Sequence, residues 1–142
     1  KVLHFGVSNF TGTQFEMLQS YLPFPLVTNQ LEISVTHHAP LFDGSLDVLM
    51  KHRVCPMAWS PLGGGKLIKE GGQELFNKAS KYGATQTQLS IAWLLRHPST
   101  IFPVIGTTRP ERIAEAAKAA DIKLDMQDWF EMLLVVQGKE MP

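Results

Sequence analysis

The sequence predicts an α/β fold built on a parallel sheet. Short apolar runs alternate with amphipathic stretches along the whole chain, the order expected of strand–helix units. Each apolar run also ends in a polar or glycine-rich cluster, as in sheets whose carboxyl edges face a ligand. The runs are continuous rather than alternating, which predicts strands covered on both faces and joined by right-handed crossovers.

The first strand is expected at about Val2 to Val7. A helix from Gln14 to Leu22 follows, with Phe15, Leu18 and Leu22 at helical spacing and Pro23 and Pro25 beyond its end. Leu26 to Gln30 is the second strand, continuing toward Ile33, and Asp43 to Arg53 is the next helix, with Leu46, Leu49 and Met50 on one face. Val54 to Trp59 is the third strand. It opens into Ser60-Pro61-Leu62-Gly63-Gly64-Gly65-Lys66, a loop by its glycines. Helices are expected at Gln73 to Tyr82, ended by Gly83, and at Thr85 to Arg96, capped by Thr85. The fourth strand is Ile101 to Ile105. Pro110 to Ala120 starts with proline in its first turn, and Asp125 to Gln137, ended by Gly138, is the last helix.

The chain has 142 residues, the common size of one domain, and its 13 Lys and Arg balance 13 Asp and Glu. That balance offers no electrostatic footprint for nucleic acid. No run approaches the roughly 20 apolar residues of a membrane helix, and no signal-like segment is present. Cys55, in an apolar run, reads as a buried, inert thiol, in keeping with a reducing cytoplasm. Lys1-Val2-Leu3 enters a strand at once without an initiator Met, which suggests a chain cut from a longer one.

The polar clusters at the strand ends carry the functional information. Ser8 and Asn9 suit two jobs, capping the helix that follows Phe10 or pairing with a flat ligand amide. Asn29-Gln30-Leu31-Glu32 closes the second strand. Trp59 closes the third, where its indole either fills the core or offers a flat face for an aromatic ring. The glycine loop is either flexible or a phosphate cradle, with its N–H groups close to the ligand and Lys66 adding charge. Gly106-Thr107-Thr108-Arg109 leads into a helix that carries Arg112. It is a solvated first turn or a phosphate-monoester site. Tyr21 and Tyr82 fall in helices. His37 and His38 fall in a loop without partners at metal-ligand spacing.

Four segments together resemble the carboxyl-terminal half of an aldo-keto reductase of the bacterial oxidoreductase type. They are Phe5-Gly-Val-Ser-Asn-Phe10, Thr28-Asn-Gln-Leu-Glu-Ile33, Ala58-Trp-Ser-Pro-Leu-Gly-Gly64 and Val104-Ile-Gly-Thr-Thr-Arg-Pro-Glu-Arg-Ile113. They stand in the family's order and at compatible intervals. The resemblance implies half of a (β/α)8 TIM barrel, its fifth to eighth strands, in a single domain fragment spanning 1–142. It implies NADP(H) as cofactor and a small aldehyde or ketone as substrate. Ser8, Asn9 and Gln30 would hold the nicotinamide carboxamide, and Trp59 would stack under its ring. Ser60, Leu62 and the Gly63-Gly64 backbone would line the pyrophosphate. Thr107 and Arg112 would meet the 2′-phosphate, and Glu115 the adenine. The sequence departs from the family at Gly106, where many members have lysine, and at Ala116, where asparagine is frequent. Arg109 offers a charge nearby.

The family's catalytic Asp, Tyr, Lys and His belong to the other half of the barrel, so no catalytic residue is assigned and the isolated chain is expected to be inactive. A non-catalytic nucleotide-binding barrel subunit of the channel-associated kind is the second reading. Four strands leave two open apolar edges, so the chain is expected to self-associate or to pair with the missing half.

Overall fold

The apolar runs pair side by side in one parallel sheet, in the order β1 (Phe5–Ser8), β2 (Leu26–Glu32), β3 (Met57–Trp59), β4 (Phe102–Pro103). The computed structural model describes residues 1–65 and 72–137. Two expectations, the Lys66 charge beside the glycine loop and a helix stop at Gly138, lie outside the described residues. Among the described residues, six α-helices connect and cover the strands: α1 (Gly12–Tyr21), α2 (Ser45–Lys51), α3 (Gly72–Lys81), α4 (Gln86–Leu95), α5 (Pro110–Ala117) and α6 (Met126–Gln137). Every strand-to-strand step passes through helix, as parallel pairing requires.

Element order follows the sequence expectation, and the boundaries move for local reasons. β1 starts at Phe5 rather than Val2, because its pairing with β2 begins at Phe5 opposite Leu26. α1 starts at Gly12. Its cap is Thr11, not Ser8 or Asn9: the Thr11 hydroxyl accepts from Gln14 N–H, and the Gln14 side chain accepts from Thr11 N–H. Thr85 builds the same reciprocal box with Gln88 at α4, as expected. α2 is shorter than Asp43 to Arg53. Asp43 instead accepts the Ser45 N–H, and Arg53 turns left-handed (φ 57°) after the last turn. β4 is trimmed to Phe102–Pro103, although Val104 N–H still donates to the Ala58 carbonyl at 2.8 Å. α5 tightens into a 3₁₀ turn over Lys118–Asp121 instead of running to Ala120 as α-helix. Cys55 is half-buried rather than buried.

Coverage is one-sided, contrary to the reading of strands buried on both faces. Phe15, Ile33, Leu46, Leu49, Leu89, Trp93 and Leu133 form the core between sheet and helices. Phe5, Val27 and Phe102 remain exposed on the sheet. Four strands lack the second half of a barrel interior to fill that side. Within β2 an extra residue enters the ladder: Phe5 faces Leu26, but Val7 faces Asn29. The bulge switches side-chain parity, so Asn29 joins Leu26 and Leu31 on the buried side while Gln30 and Glu32 are half-exposed.

α6 is held by two devices. Trp129 lies flat on Trp93 of α4, with ring centroids 4.9 Å apart and planes 4° from parallel. Each indole N–H donates to the other residue's carbonyl, at 3.0 and 2.9 Å. On the opposite flank the buried Asp128 carboxylate accepts from Lys78 at 2.9 Å, from Lys81 at 2.6 Å and from the Tyr82 hydroxyl. Lys78 also pairs with Glu131. Burial alone would raise the Asp128 pKa. The donors from Lys81, Tyr82 and Lys78 outweigh burial and hold it well below its ordinary 3.8.

A carboxyl with a depressed folded-state pKa contributes stability above its unfolded value and loses it as the pH falls. The α3–α6 junction should therefore weaken progressively below about pH 4. Asp128→Asn should lower stability at neutral pH by about 2 kcal/mol, or roughly 6 °C in melting temperature. It should also flatten the acid limb of the stability curve. Thermal melts from pH 3 to 7 check both effects, and unchanged melts would dismiss the junction as ornamental.

Candidate functional site

The carboxyl ends of β1, β2 and β3 meet at one rim. Beyond Ser8 the chain turns sharply, because Asn9 sits in the left-handed region (φ 57°), which Asn tolerates better than most residues. The turn is fixed from below by Asn29, 1% exposed. Its side-chain N–H donates to the Phe10 carbonyl at 2.8 Å, and its oxygen accepts from Phe10 N–H at 3.4 Å. From beside it, the Gln30 carbonyl accepts from Asn9 N–H at 2.9 Å and from the Ser8 hydroxyl at 3.1 Å. Trp59, at the end of β3, donates its indole N–H to Asn9 Oδ1 at 2.9 Å. Ser8, Asn9, Gln30 and Trp59 thus form one connected cluster, though they come from three strands.

Past Trp59 the backbone is again left-handed at Ser60 (φ 49°). Such conformations persist only where surrounding contacts impose them. The next turn winds tightly: Gly63 N–H donates to the Ser60 carbonyl at 2.8 Å and Gly65 N–H to Leu62 at 3.1 Å. Two of the three glycine N–H groups are therefore engaged inside the loop, which corrects the expectation of a fully open cradle. Gly63 has a steric reason as well. A Cβ there would stand 2.3 Å from Thr36 Oγ1, on top of a left-handed φ of 59°.

A groove of about 870 Å³ runs from Trp59 along this loop to α5. Of the residues singled out from sequence, Trp59, Ser60, Leu62, Gly64, Thr107, Arg112 and Glu115 line it. Ser8, Asn9 and Gln30 lie beside its Trp59 end, joined through the Asn9–Trp59 bond. Gly106 and Ala116 line it too, and Gly106 leaves open space where a Cβ would be. The far end is basic at Arg112. This residue is exposed, and its guanidinium has no protein partner among the described residues. Thr107 accepts Arg109 N–H at 3.3 Å. Glu115 is already anchored: its carboxylate accepts from the Thr85 hydroxyl at 2.7 Å, and its carbonyl accepts from Gln88 at 3.1 Å.

Sequence reading missed the floor of the groove. Thr87 and Ile91 of α4 line it, together with Val104 and Ile105. The available signal was slight, because Thr87 stands between Gln86 and Gln88 in a polar first turn, ahead of a largely apolar stretch. Tyr21 is 80% exposed on α1, and the Tyr82 hydroxyl is committed to Asp125 and Asp128. His37 is exposed 3.8 Å from Glu32, and His38 bonds the Val35 carbonyl. No cluster of metal-binding side chains occurs among the described residues. No helix among them is long and apolar enough to cross a membrane.

Compared with known proteins, residues 1–133 match the sequence model of the aldo/keto reductase family. The chain belongs to the aldo/keto reductase family. Oxidoreductase YdhF of Escherichia coli K12 is 46% identical over 148 residues, covering 100% of this chain and 50% of YdhF. The thermostable aldo-keto reductase Tm1743, solved with the inhibitor epalrestat, superposes with a TM-score of 0.86 at 30% identity, over 93% of this chain and 48% of that one. An aldo-keto reductase of Klebsiella pneumoniae solved with NADPH superposes at 0.82 with 25% identity, over 91% and 46%. This aldo-keto reductase chain spans about half the length of the relatives it matches. It is the carboxyl-terminal half of the family's barrel.

In this family member the rim rests on a buried amide, that of Asn29. Asn29→Ala leaves the Phe10 N–H and carbonyl without partners and should cost about 2 kcal/mol. Faster hydrogen exchange at Phe10 and a lower melting temperature are the expected readouts. A variant as stable as the parent chain would refute the anchoring role.

Proposed function

We propose that this chain is the nucleotide-binding half of an NADPH-dependent aldo-keto reductase that reduces aldehydes or ketones to alcohols. The carrying observation is the polarity of the groove: an aromatic and amide-rich end at Trp59, Asn9 and Gln30, and at the other end the Arg112 guanidinium, which has no partner among the described residues. A ligand with a flat amide-bearing ring at one end and a phosphate monoester at the other fits that order. The NADPH complex of the Klebsiella pneumoniae relative supports the same ligand.

In this reading Ser8, Asn9 and Gln30 hold the carboxamide of the nicotinamide, and the Trp59 indole supports its ring. Ser60, Leu62 and Gly64 follow the pyrophosphate. Thr107 and Arg112 take the 2′-phosphate, where a bidentate guanidinium contact is geometrically suited. Glu115, held by Thr85, faces the adenine end. When bound, the nucleotide supplies the hydride that a carbonyl carbon accepts. The proton for the carbonyl oxygen must come from a group beside it. Tyr21 and Tyr82 do not line the groove. The chain alone therefore holds nucleotide without turning it over, and the rest of the barrel supplies the proton donor. A soluble, cytoplasmic setting suits this chemistry.

The open edges at β1 and β4 suggest how the chain behaves alone. Exposed Val2, Leu3 and Phe5 at one edge and Phe102 at the other invite pairing with a second copy or with the other half of the barrel.

Arg112→Ala should weaken NADPH binding to this chain about tenfold and leave NADH almost unchanged. Titration of reduced-nucleotide fluorescence reads this, and equal losses for both nucleotides would reject the phosphate role. Added aldehyde should leave the fluorescence of the chain–NADPH mixture steady. In sedimentation at micromolar concentration the chain should run as a dimer or larger, and a well-folded monomer would overturn the edge-pairing proposal.

A further inference from the structure

A carboxamide has an acceptor end and a donor end, and nothing in Asn9 itself decides which one faces a ligand. Trp59 decides it. An indole N–H can only donate, so the Asn9 atom 2.9 Å from Trp59 Nε1 is the acceptor oxygen. The Asn9 backbone is held at the same time, by its left-handed φ of 57° and by the 2.9 Å bond from its N–H to the Gln30 carbonyl. With backbone and oxygen both held, Nδ2 is the end left over, and it has no partner among the described residues. The Gln30 side chain next to it is also without a partner among the described residues, so its amide is free to turn.

We propose that Trp59 is a positioning residue whose indole N–H fixes Asn9 to present a donor at the rim. A donor at that point selects a carbonyl oxygen of the ligand and leaves a ligand NH₂ to the adjustable Gln30. The inference rests on the nicotinamide reading of this end of the groove. A phenylalanine at position 59 would keep a ring face and lose the N–H. Asn9 would then present either end, and the cost of ordering it would fall on ligand binding.

The test compares the chain with Trp59→Phe, Asn9→Ala, the double variant and Asn9→Asp. Two probes are titrated: NADPH, and adenosine 2′,5′-bisphosphate, which carries the phosphate end and no nicotinamide. Trp59→Phe should weaken NADPH about fivefold, the worth of one hydrogen bond, and leave the bisphosphate unchanged. In the Asn9→Ala background the same substitution should do nothing more, because the amide it positions is gone. Asn9→Asp keeps an acceptor for the indole but offers no donor, so it should fold normally and lose NADPH affinity as Asn9→Ala does. Fully additive losses, or Asn9→Asp binding NADPH like the parent chain, would overturn the positioning role alone. Failure of the parent chain to bind either probe would overturn the nucleotide reading, and the positioning role with it. Circular dichroism of each variant separates lost binding from lost fold, and Asn9→Asp decides the matter should Trp59→Phe not fold.

Discussion

Beneath the rim lies a single buried amide. Asn29 grips the Phe10 backbone at both its N–H and its carbonyl, and a buried peptide group satisfied from both sides has little freedom to drift. That grip sets where β1 turns. The turn sets where Ser8 and Asn9 stand against the Gln30 carbonyl, and Asn9 meets the Trp59 indole. Three strands are thus tied across their carboxyl ends by side chains as well as by ladder bonds. Without the ties β1 would be a four-residue edge strand with an exposed face, which is marginal on ladder bonds alone.

Much of this was legible in the linear chain. Alternating apolar runs and amphipathic stretches announced a parallel α/β sheet, and the order of strands and helices follows from that pattern. Thr85 was readable as a helix start because its capping box is local. Thr11, with Gln14 three residues on, carries the same signature. The polar side chains of Ser8 and Asn9 compete with it for the cap in the linear sequence, and only the fold commits them to the rim. The apolar runs at β1, β3 and β4 are longer than the strands they contain. An apolar run states what is buried or paired somewhere, while a strand ends where its neighbour ends.

The missed parts share a cause: they depend on residues distant in sequence. The β2 bulge exists only in the register against β1. Gly63 N–H looked available until the loop wound back on Ser60. The sequence offers the Trp59 indole two roles, core filler or stacking surface. That indole is half-buried and also donates to an amide fifty positions earlier. Thr87 and Ile91 read as ordinary helix residues because only the packing of α4 beside β4 and α5 turns them toward the groove. The order of the four motifs, by contrast, was visible to the eye, since order along a chain needs no geometry.

The extra residue in β2 lets a three-residue step from Leu26 to Asn29 end on the side where it began. Losing Val27 or Thr28 would leave Asn29 inside and restore an unbulged ladder, at the cost of the local bend. Beyond Asn29 the strand has no such slack, and a one-residue deletion there would exchange inside for outside. Without Gln30, Leu31 would swing into water and Glu32 would be driven into an apolar interior.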